Sequence, residues 1–410
     1  MMKFLHCDSL EIAREKLLDS VKNWDLKTEI IKTGSSLGRV LSEDIPAEDN
    51  VPHFHRSTMD GYAVKANDLY MAAESKPVTL ILKGRVDMGQ PALFTIYDGE
   101  CAEVDTGGMI PDGADSVVMV EFTEEFNDEK IMFYNAVSYG ENVVKPGEDV
   151  KTGEFVLSRG KVIKPQDIGV LAASGVMEIP VYRPLRIFII STGEELISPD
   201  SKPEPGQIRD VNTPALTALA IKTGFDVTGT AIIGDDIDLL EKAVRDAMID
   251  NEIVIISGGS SQGKMDLTRK IFDNVSQNGV FTHGIALKPG KPTILSFDNK
   301  TNTLLIGLPG HPVSAMIVFD QLVNWLLQKL TGIIPAHDIS ATLTCNVASS
   351  PGRQSYVPVK LRLSDAGYFA DPVFGKSGLI SILSKADGYI EIDRNVEGLG
   401  EGHNVSVKLF

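Results

Sequence analysis

The sequence predicts a multidomain chain in which one doubly wound α/β domain is combined with smaller β-rich domains. Its 410 residues exceed the roughly 250 that a single hydrophobic core normally serves. In residues 186–330, continuous apolar runs alternate with amphipathic helical patterns, which is typical of a parallel sheet covered on both faces. Residues 78–134 and 334–410 instead show short β-branched and aromatic segments between turns, which predict β-structure.

Composition and charge narrow the class of protein. The chain is 43% hydrophobic and 23% charged, and no apolar run approaches the ~18 residues of a membrane helix. A formal net charge of −17 disfavours nucleic acid and anionic membranes as partners, because both require a basic face. Cys7, Cys101 and Cys345 are far apart and odd in number, so they predict neither a disulfide framework nor a zinc site. We therefore expect a reducing, cytoplasmic setting.

The N-terminal segment, residues 1–21, is expected to be a helix that packs on a surface. Charges of both signs separate apolar residues at helical spacing, unlike a secretory signal. Those apolar residues are Leu10, Ala13, Leu17, Leu18 and Val21. A further helix is predicted at residues 166–173.

Polar turns interrupt the β-rich region. Asp60 precedes Gly61, and on pattern alone it is a turn carboxylate bonded to its own backbone. Thr106 stands beside two glycines, in a turn that suits either a ligand or a tight bend. His53 and His55 have no further histidine or cysteine near them in sequence, so a surface pair is favoured over a metal site.

The α/β region is predicted to contain strands at residues 187–190, 231–233 and 253–256, with others near Ile294 and Leu305. Helices are expected at residues 238–248, from about Asp266 and from Pro312. The apolar face of the first of these helices is formed by Leu239, Leu240, Ala243, Val244, Ala247 and Met248. Ligands of such sheets bind beyond the carboxyl ends of the strands.

A glycine-rich turn follows the strand at residues 253–256. Gly258, Gly259 and Ser260 let the backbone approach an anion closely, and the next helix adds a favourable dipole, so the turn suits phosphate. The spacing from Gly258 to Lys264 fits a P-loop, but Met265 stands where Ser or Thr would hold magnesium. We favour a phosphate-binding turn of another kind, with an ordinary strand-to-helix connection as the alternative.

Acidic loops follow three strands of the predicted sheet and contain Glu195, Asp236 and Asp266. Carboxylates that converge beside a phosphate are what magnesium prefers. Each acid taken alone is more often a helix cap or first-turn acid. A metal-phosphate site and three separate caps therefore stay open as alternatives.

Two proline-containing turns supply further candidates. Lys288 and Lys291 lie in the first, where they either contact an anionic ligand or are solvated loop charges. Pro309 and Pro312 make the second turn rigid, which suits a preorganised pocket. In the last segment, Arg353 carries the fixed fork of donors best able to bind an anion.

Seven motifs in this order resemble the MoeA family, to which the E domain of gephyrin is related. The match runs from about residue 5 to the C-terminus. The motifs are Ser57-Thr58-Met59-Asp60-Gly61-Tyr62-Ala63, Thr106-Gly107, Gly147-Glu148-Asp149, Ser191-Thr192-Gly193-Glu194-Glu195-Leu196, Ser257-Gly258-Gly259 through Asp266, Lys288-Pro289-Gly290-Lys291-Pro292, and Gly307-Leu308-Pro309-Gly310-His311-Pro312-Val313-Ser314.

The resemblance implies a molybdopterin molybdenumtransferase. Such an enzyme inserts molybdate into the dithiolene of adenylylated molybdopterin and releases AMP with magnesium. It also implies a homodimer of elongated subunits whose cleft lies between the α/β domain of one subunit and the small β domain of the other. The implied domains are residues 1–50 with 141–180, residues 51–140, residues 181–330 of molybdopterin-binding type, and residues 331–410.

The resemblance also gives roles to individual residues. Asp60 and Thr106 would face the cleft across the dimer, and Asp149 matches an acid beyond the small domain. Glu195, Asp236 and Asp266 match the acids of the α/β domain, of which we expect Glu195 and Asp266 to hold magnesium or its waters. The catalytic set is Asp60, Thr106, Asp149 and Glu195, and the ligand-binding set is Gly258, Gly259, Ser260, Lys288, Lys291, Pro309, Pro312 and Arg353.

The chain departs from the family pattern at a few positions. Val143-Val144-Lys145-Pro146 stands where many members carry arginines, and His311 where asparagine is common. These departures fit either a subfamily that handles tungstate or neutral drift. Two other functions stay open, a molybdopterin adenylyltransferase and a non-catalytic molybdopterin-binding scaffold. The domains beyond the α/β domain argue against an adenylyltransferase. The presence of all the acids that match the family motifs argues against a scaffold.

Overall fold

The computed structural model describes residues 7–258, 262–335 and 337–410, with backbone but not side chains for residues 262–266. The chain forms two compact units. The larger unit comprises Met1–Glu29, Gly38–Ser42 and Val181–Phe410, and the smaller one Ile30–Leu37 and Glu43–Pro180. The four predicted domain boundaries stay a prediction.

The first helix, α1 (Leu10–Ser20), belongs to the larger unit. It begins later than predicted, at a cap where Ser9 Oγ accepts a hydrogen bond from Ile12 N at 3.3 Å. Leu10, Ala13 and Leu17 are buried, as their spacing predicts. Strand β1 (Thr28–Lys32) follows.

The smaller unit consists mainly of β-strands, as predicted. Its elements are β2 (Ile45–Pro46), β3 (Arg56–Ser57), β4 (Gly61–Val64), β5 (Val78–Val86), β6 (Glu100–Val104), β7 (Ser116–Met119), β8 (Thr123–Asn127), β9 (Lys130–Phe133), β10 (Val143–Val144), β11 (Phe155–Leu157) and helix α2 (Pro165–Ala173). Six of the strands form one sheet in the order β7-β4-β6-β5-β9-β8. Strand β12 (Glu178–Tyr182) follows and pairs with β1.

The packing of β4 explains the residue type at position 61. Strand β4 lies between β6 and β7, with Gly61 opposite Val104 and Met119. A Cβ atom on Gly61 would lie 1.9 Å from the carbonyl oxygen of Val118, so only glycine fits. Asp60 is thereby fixed at the start of β4, opposite the end of β6.

The α/β part of the larger unit alternates strands and helices. Its elements are β13 (Arg186–Thr192), β14 (Leu196–Ile197), β15 (Ile208–Arg209), α3 (Asn212–Lys222), β16 (Asp226–Ile233), α4 (Ile237–Asp250), β17 (Ile253–Gly258), α5 (Gln262–Val275), β18 (Val280–His283), β19 (Leu287–Lys288), β20 (Ile294–Asp298), β21 (Thr303–Leu308), α6 (Pro312–Val318), a π-helical stretch (Phe319–Asn324) and α7 (Trp325–Thr331). The main sheet has the order β16-β13-β17-β21-β20-β18.

Both faces of this sheet are covered, as the continuous apolar strands predict. Ile189 packs into a core with Leu216 of α3, whereas the next residue, Ile190, packs into a second core with Val244 of α4 and Phe272 of α5. The sheet is mixed rather than wholly parallel, because β20 runs antiparallel to β21 and β18. The connection from β20 to β21, residues 299–302, is short enough for an antiparallel hairpin.

Two details of the predicted helices differ in the structure. Helix α5 begins at Gln262, four residues before the expected start at Asp266. On α4, Leu239 is 57% exposed, although it was assigned to the apolar face. The buried stripe of α4 passes through Leu240 and Val244, and the residue before Leu240 points about 100° away from it.

The C-terminal part of the larger unit is a small β-structure. Its elements are β22 (Ile339–Leu343), β23 (Val347–Ala348), β24 (Gln354–Ser364), β25 (Gly367–Pro372), α8 (Ser381–Lys385), β26 (Gly388–Ile392), β27 (Gly398–Leu399) and β28 (Asn404–Leu409). The sheet order is β19-β24-β25-β22-β28-β26, and β26 also pairs with β24, so five strands close a ring. Strand β19 adds to this ring in parallel, with Lys288 opposite Ser355. No helix in the described part of the chain is both long and apolar enough to span a membrane.

Candidate active site

A cleft of about 820 Å³ lies at the carboxyl ends of the parallel strands of the larger unit. Thr192 ends β13 and Gly258 ends β17, and Gly310 follows β21. All three line the cleft, which is where an α/β sheet was predicted to bind its ligand. The predicted site residues Glu195, Gly258 and Pro312 come together here.

The loops after β13 and β16 are joined by hydrogen bonds. Thr192 Oγ1 donates to Asp235 Oδ1 at 3.0 Å, and the backbone N–H of Asp235 donates to Glu194 Oε1 at 2.9 Å. Glu195 folds back over Gly193, where a Cβ atom would lie 2.9 Å from Glu195 Oε2. A residue with a side chain at position 193 would therefore displace the Glu195 carboxylate from the cleft.

The other predicted metal ligands lie elsewhere or outside the described residues. Asp236 caps α4, where its Oδ1 accepts a hydrogen bond from Leu239 N at 3.0 Å, which is the alternative that the sequence left open. Gly259, Ser260 and the side chain of Asp266 lie outside the described residues. Among the side chains that are described, no cluster of three or more His, Cys, Asp or Glu residues is arranged to hold a metal ion.

The wall of the cleft contains a buried polar network that sequence reasoning missed. Asp210 Oδ1 accepts from Ser191 Oγ at 3.0 Å and from the backbone N–H groups of Asn212 and Thr213 at 3.0 and 3.2 Å. Asn212 Nδ2 donates to Ser257 Oγ at 2.9 Å and to Gly310 O at 2.8 Å. The network ties β13, α3 and β17 to the turn after β21. An acid two residues before a helix was the available sequence signal.

Lys288 lines a second cavity, of about 350 Å³, beside the C-terminal ring. Its Nζ donates to Ser350 Oγ at 2.9 Å. His311 lines the first cavity and Ser377 lines the second, and the His311 Nδ1 to Ser377 Oγ distance is 2.9 Å. The two cavities are thus adjacent, with this hydrogen bond at their common border.

The remaining ligand-binding candidates do not share one cavity, although Pro312 lines the cleft. Lys291 is half-buried, and its carbonyl oxygen accepts from Ile285 N at 3.0 Å. Pro309 is buried, and Pro312 occupies the first turn of α6. Arg353 is exposed in the turn before β24 and lines neither cavity.

The smaller unit brings Asp60 and Thr106 together, and the position of this pair across a dimer stays a prediction. Asp60 Oδ1 accepts from Thr106 N at 2.6 Å and from Thr106 Oγ1 at 2.8 Å. The backbone hydrogen bond and then the hydroxyl bond lower the pKa of the Asp60 carboxyl group, because both stabilise its ionised form. Asp60 is exposed, so this pair is available to a ligand as an ionised carboxylate.

Asp149 and the two N-terminal histidines are not part of that pair. Asp149 is exposed after β10, and no hydrogen bond joins its side chain to Asp60 or Thr106. His53 and His55 are exposed, which agrees with the surface pair that their spacing favoured. Val143 and Val144, at a departure from the family pattern, form β10 and pair with β3.

Three family models match successive parts of the chain. Residues 8–175 match the MoeA N-terminal region (domain I and II), residues 188–329 a probable molybdopterin binding domain, and residues 340–410 the MoeA C-terminal region (domain IV). Together they follow the order of the structural parts described above.

Curated relatives and solved structures agree with these matches over nearly the whole chain. A molybdopterin molybdenumtransferase of Haemophilus influenzae is 32% identical over 408 residues, which cover 98% of each chain. A putative molybdopterin biosynthesis protein of Methanocaldococcus jannaschii is 34% identical over 410 residues, 98% of this chain and 96% of that one. The structure of a molybdopterin biosynthesis MoeA protein from Pyrococcus horikoshii superposes with a TM-score of 0.83 at 34% identity, covering 98% and 99% of the two chains.

Proposed function

The chain belongs to the MoeA family of molybdopterin molybdenumtransferases, and from that premise we propose that it inserts molybdate or tungstate into adenylylated molybdopterin and releases AMP. The observation that carries the proposal is the cleft at the carboxyl ends of β13 and β17, where Glu195 and Gly258 lie together. A carboxylate beside a strand-end glycine turn suits a substrate that carries both phosphate and a metal oxyanion.

The proposed reaction needs no electron donor, because molybdenum keeps its oxidation state. The two thiols of the dithiolene lose their protons and bind molybdenum, and one oxo ligand of molybdate leaves as water. One water splits the phosphoanhydride P–O bond, which gives AMP and the metal-bearing pterin phosphate. The residues must therefore accept protons and hold oxyanions.

Glu195 is the candidate for binding magnesium in the cleft. Magnesium usually takes one or two protein carboxylates together with substrate phosphates and waters, and the Glu195 carboxylate lines a cleft large enough for all of them. When bound, the ion screens the charge of the phosphoanhydride. Asp266 is proposed as the second carboxylate by its position in the family motif.

Asp60 and Thr106 are proposed to act on the dithiolene or molybdate as an orienting or proton-accepting pair. The two hydrogen bonds from Thr106 fix the Asp60 carboxylate and keep it ionised, which suits a group that accepts a proton from a thiol. We propose a homodimer in which this pair of one subunit faces the cleft of its partner, as the family resemblance implies.

Lys288 and Arg353 are proposed as contacts for substrate oxyanions, and Asp149 as a further acid at the margin of the site. Lys288 has the firmer support of the two cations, because it lines the cavity adjacent to the cleft. Lys291 is proposed as the second cation of the Lys288 turn, and Pro309 and Pro312 would keep the turn after β21 rigid.

The direct test measures AMP release from adenylylated molybdopterin with magnesium, while molybdate and tungstate are titrated separately. Release that depends on the oxyanion concentration is the expected result, and the two half-saturation values rank the metals. Tight binding of the adenylylated pterin without release under either oxyanion would refute the transferase and favour a scaffold. Formation of adenylylated molybdopterin from ATP would favour an adenylyltransferase instead.

A further inference from the structure

Two oxygen atoms in the wall of the cleft have no hydrogen-bond partner. They are Asp210 Oδ2 and Asn212 Oδ1, and both atoms are buried. Asp210 is 2% exposed and Asn212 is 7% exposed, although both residues line the cleft. Buried polar atoms of native proteins are nearly always paired, so two exceptions that are two residues apart in sequence at a ligand cleft require a functional explanation.

The remaining atoms of both side chains are fully engaged. Asp210 Oδ1 already accepts three hydrogen bonds, from Ser191 and from two backbone N–H groups. Both protons of Asn212 Nδ2 are directed at oxygens, one of them the carbonyl of Gly310, which can only accept. That contact fixes the orientation of the amide. Asp210 Oδ2 and Asn212 Oδ1 therefore remain as two free hydrogen-bond acceptors, and neither side chain has a free donor.

We propose that Asp210 and Asn212 are specificity residues that recognise the 2-amino-4-oxopyrimidine edge of a pterin. This edge carries a ring N–H beside an amino group, so it offers two adjacent donors to the two free acceptors. The inference rests on the proposed function and names the part of the substrate that this wall holds. Both oxygens are shielded from solvent before binding. The proposal therefore includes a small shift of the two side chains when the pterin binds.

The same chemistry discriminates against the other base of the substrate. The adenine of the adenylyl group offers an amino donor beside a ring nitrogen that accepts, and an acceptor placed against Asp210 or Asn212 is repelled. Magnesium is also a poor occupant, because it retains several waters and gives them up reluctantly. Two oxygens that are shielded from solvent therefore fit a planar pair of N–H donors better than a hydrated ion.

The first experiment needs only the unaltered full-length protein. Fluorescence titrations would compare 6-hydroxymethylpterin with 6-hydroxymethyllumazine, which has an oxygen in place of the 2-amino group. We expect the pterin to bind at least tenfold more tightly, in the presence of EDTA as well as of magnesium. Equal binding of the two compounds, no binding of the pterin, or pterin binding that requires magnesium would each overturn the inference.

The second experiment uses Asp210→Asn, with Thr217→Val as the matched control. Thr217 lies on α3, the helix that Asp210 precedes by two residues, and its Oγ1 is also buried without a partner, but it does not line the cleft. Asp210→Asn places an N–H₂ donor at the free position, so pterin affinity should fall about tenfold or more while lumazine affinity rises. Thr217→Val should change neither. An equal loss for both compounds in Asp210→Asn would indicate a merely structural residue and refute the proposal.

Failure of this inference and failure of the proposed function give different results. AMP release by the unaltered protein without any preference for pterin over lumazine would refute only the recognition by Asp210 and Asn212. A clear pterin preference without AMP release would support the recognition and refute the transferase.

Discussion

The cleft of the larger unit and the Asp60–Thr106 pair of the smaller unit hold carboxylates in opposite ways. Asp210 is 2% exposed, and three donors from β13 and α3 bind its Oδ1, so the packing of the fold sets the position of this carboxylate. Asp60 is exposed, and its carboxylate is held by the backbone N–H and the hydroxyl of Thr106. The contrast shows that one chain can place polar groups where stability depends on them and also where only chemistry does.

The largest expected effect is on the rate of AMP release and comes from a change at Asp60. Asp60→Asn keeps an acceptor for Thr106 but removes the proton-accepting charge, so AMP release should slow about 100-fold, as for the loss of a general base. The midpoint of urea unfolding should stay unchanged, because the side chain is exposed. A full rate in Asp60→Asn, or a rate loss that parallels a loss of stability, would contradict the assignment.

The next largest effect is on the free energy of unfolding and comes from a change at Asn212. Asn212→Ala removes the donors to Ser257 Oγ and Gly310 O and leaves those buried oxygens unpaired. The free energy of unfolding, measured by urea titration, should fall by about 2 kcal/mol. Thr217→Val on the same helix should be nearly neutral. A destabilisation by Asn212→Ala no larger than that of the control would show that the network contributes little.

Substitutions of Asp236 test whether this residue only caps α4 or also binds magnesium. Asp236→Ala removes the cap of α4 and should lower the free energy of unfolding by about 1 kcal/mol. Asp236→Ser keeps a capping oxygen without the charge and should restore most of the stability. If the magnesium half-saturation for AMP release rises tenfold or more in Asp236→Ser, the residue is also a metal ligand, and its role as a cap alone is wrong.

The smallest effect concerns the pKa of Asp60. In Thr106→Val one of the two hydrogen bonds that lower this pKa is lost, so the pKa rises toward its ordinary value. The ionised form then persists over a narrower range, so the acid side of the pH–rate profile should move to higher pH. The rate at neutral pH should change little, because a carboxyl group with an ordinary pKa is still ionised there. Thr79→Val, an exposed substitution on the same sheet, is the control. An unmoved acid side would mean that Asp60 does not act in its ionised form.

The sequence predicts the positions of strand ends well, because apolar runs and glycine turns are local signals. Glu195 lies after β13, as predicted, whereas Gly258 is the last residue of β17 rather than part of the turn that follows it, and both line the cleft. The role of Asp210 was not predictable, since its free oxygen depends on which donors the fold brings to the other oxygen. For the same reason a helical pattern placed Leu239 in the core, whereas the packing of α4 against the sheet left it exposed.

The pairing of Asp60 with Thr106 could be predicted only in part from the sequence. The turn signals at both positions are local, but their contact follows from the register of β4 against β6, which pairs Gly61 with Val104. Only the family resemblance suggested in advance that both residues serve one site. The reversal of β20 had no local signal either, because an apolar strand has the same pattern in both directions.

The addition of β19 to the C-terminal ring sets the order in which the chain can mature during its synthesis. Lys288 lies opposite Ser355, so the ribosome must make about 70 further residues before the partner strand of the lysine turn exists. At typical translation speeds this delay is roughly 3–14 s, during which the edge of β19 is uncovered. The α/β core can assemble in that interval, but the cavity around Lys288 is completed only when the residues that line it, as far as Ile382, have emerged.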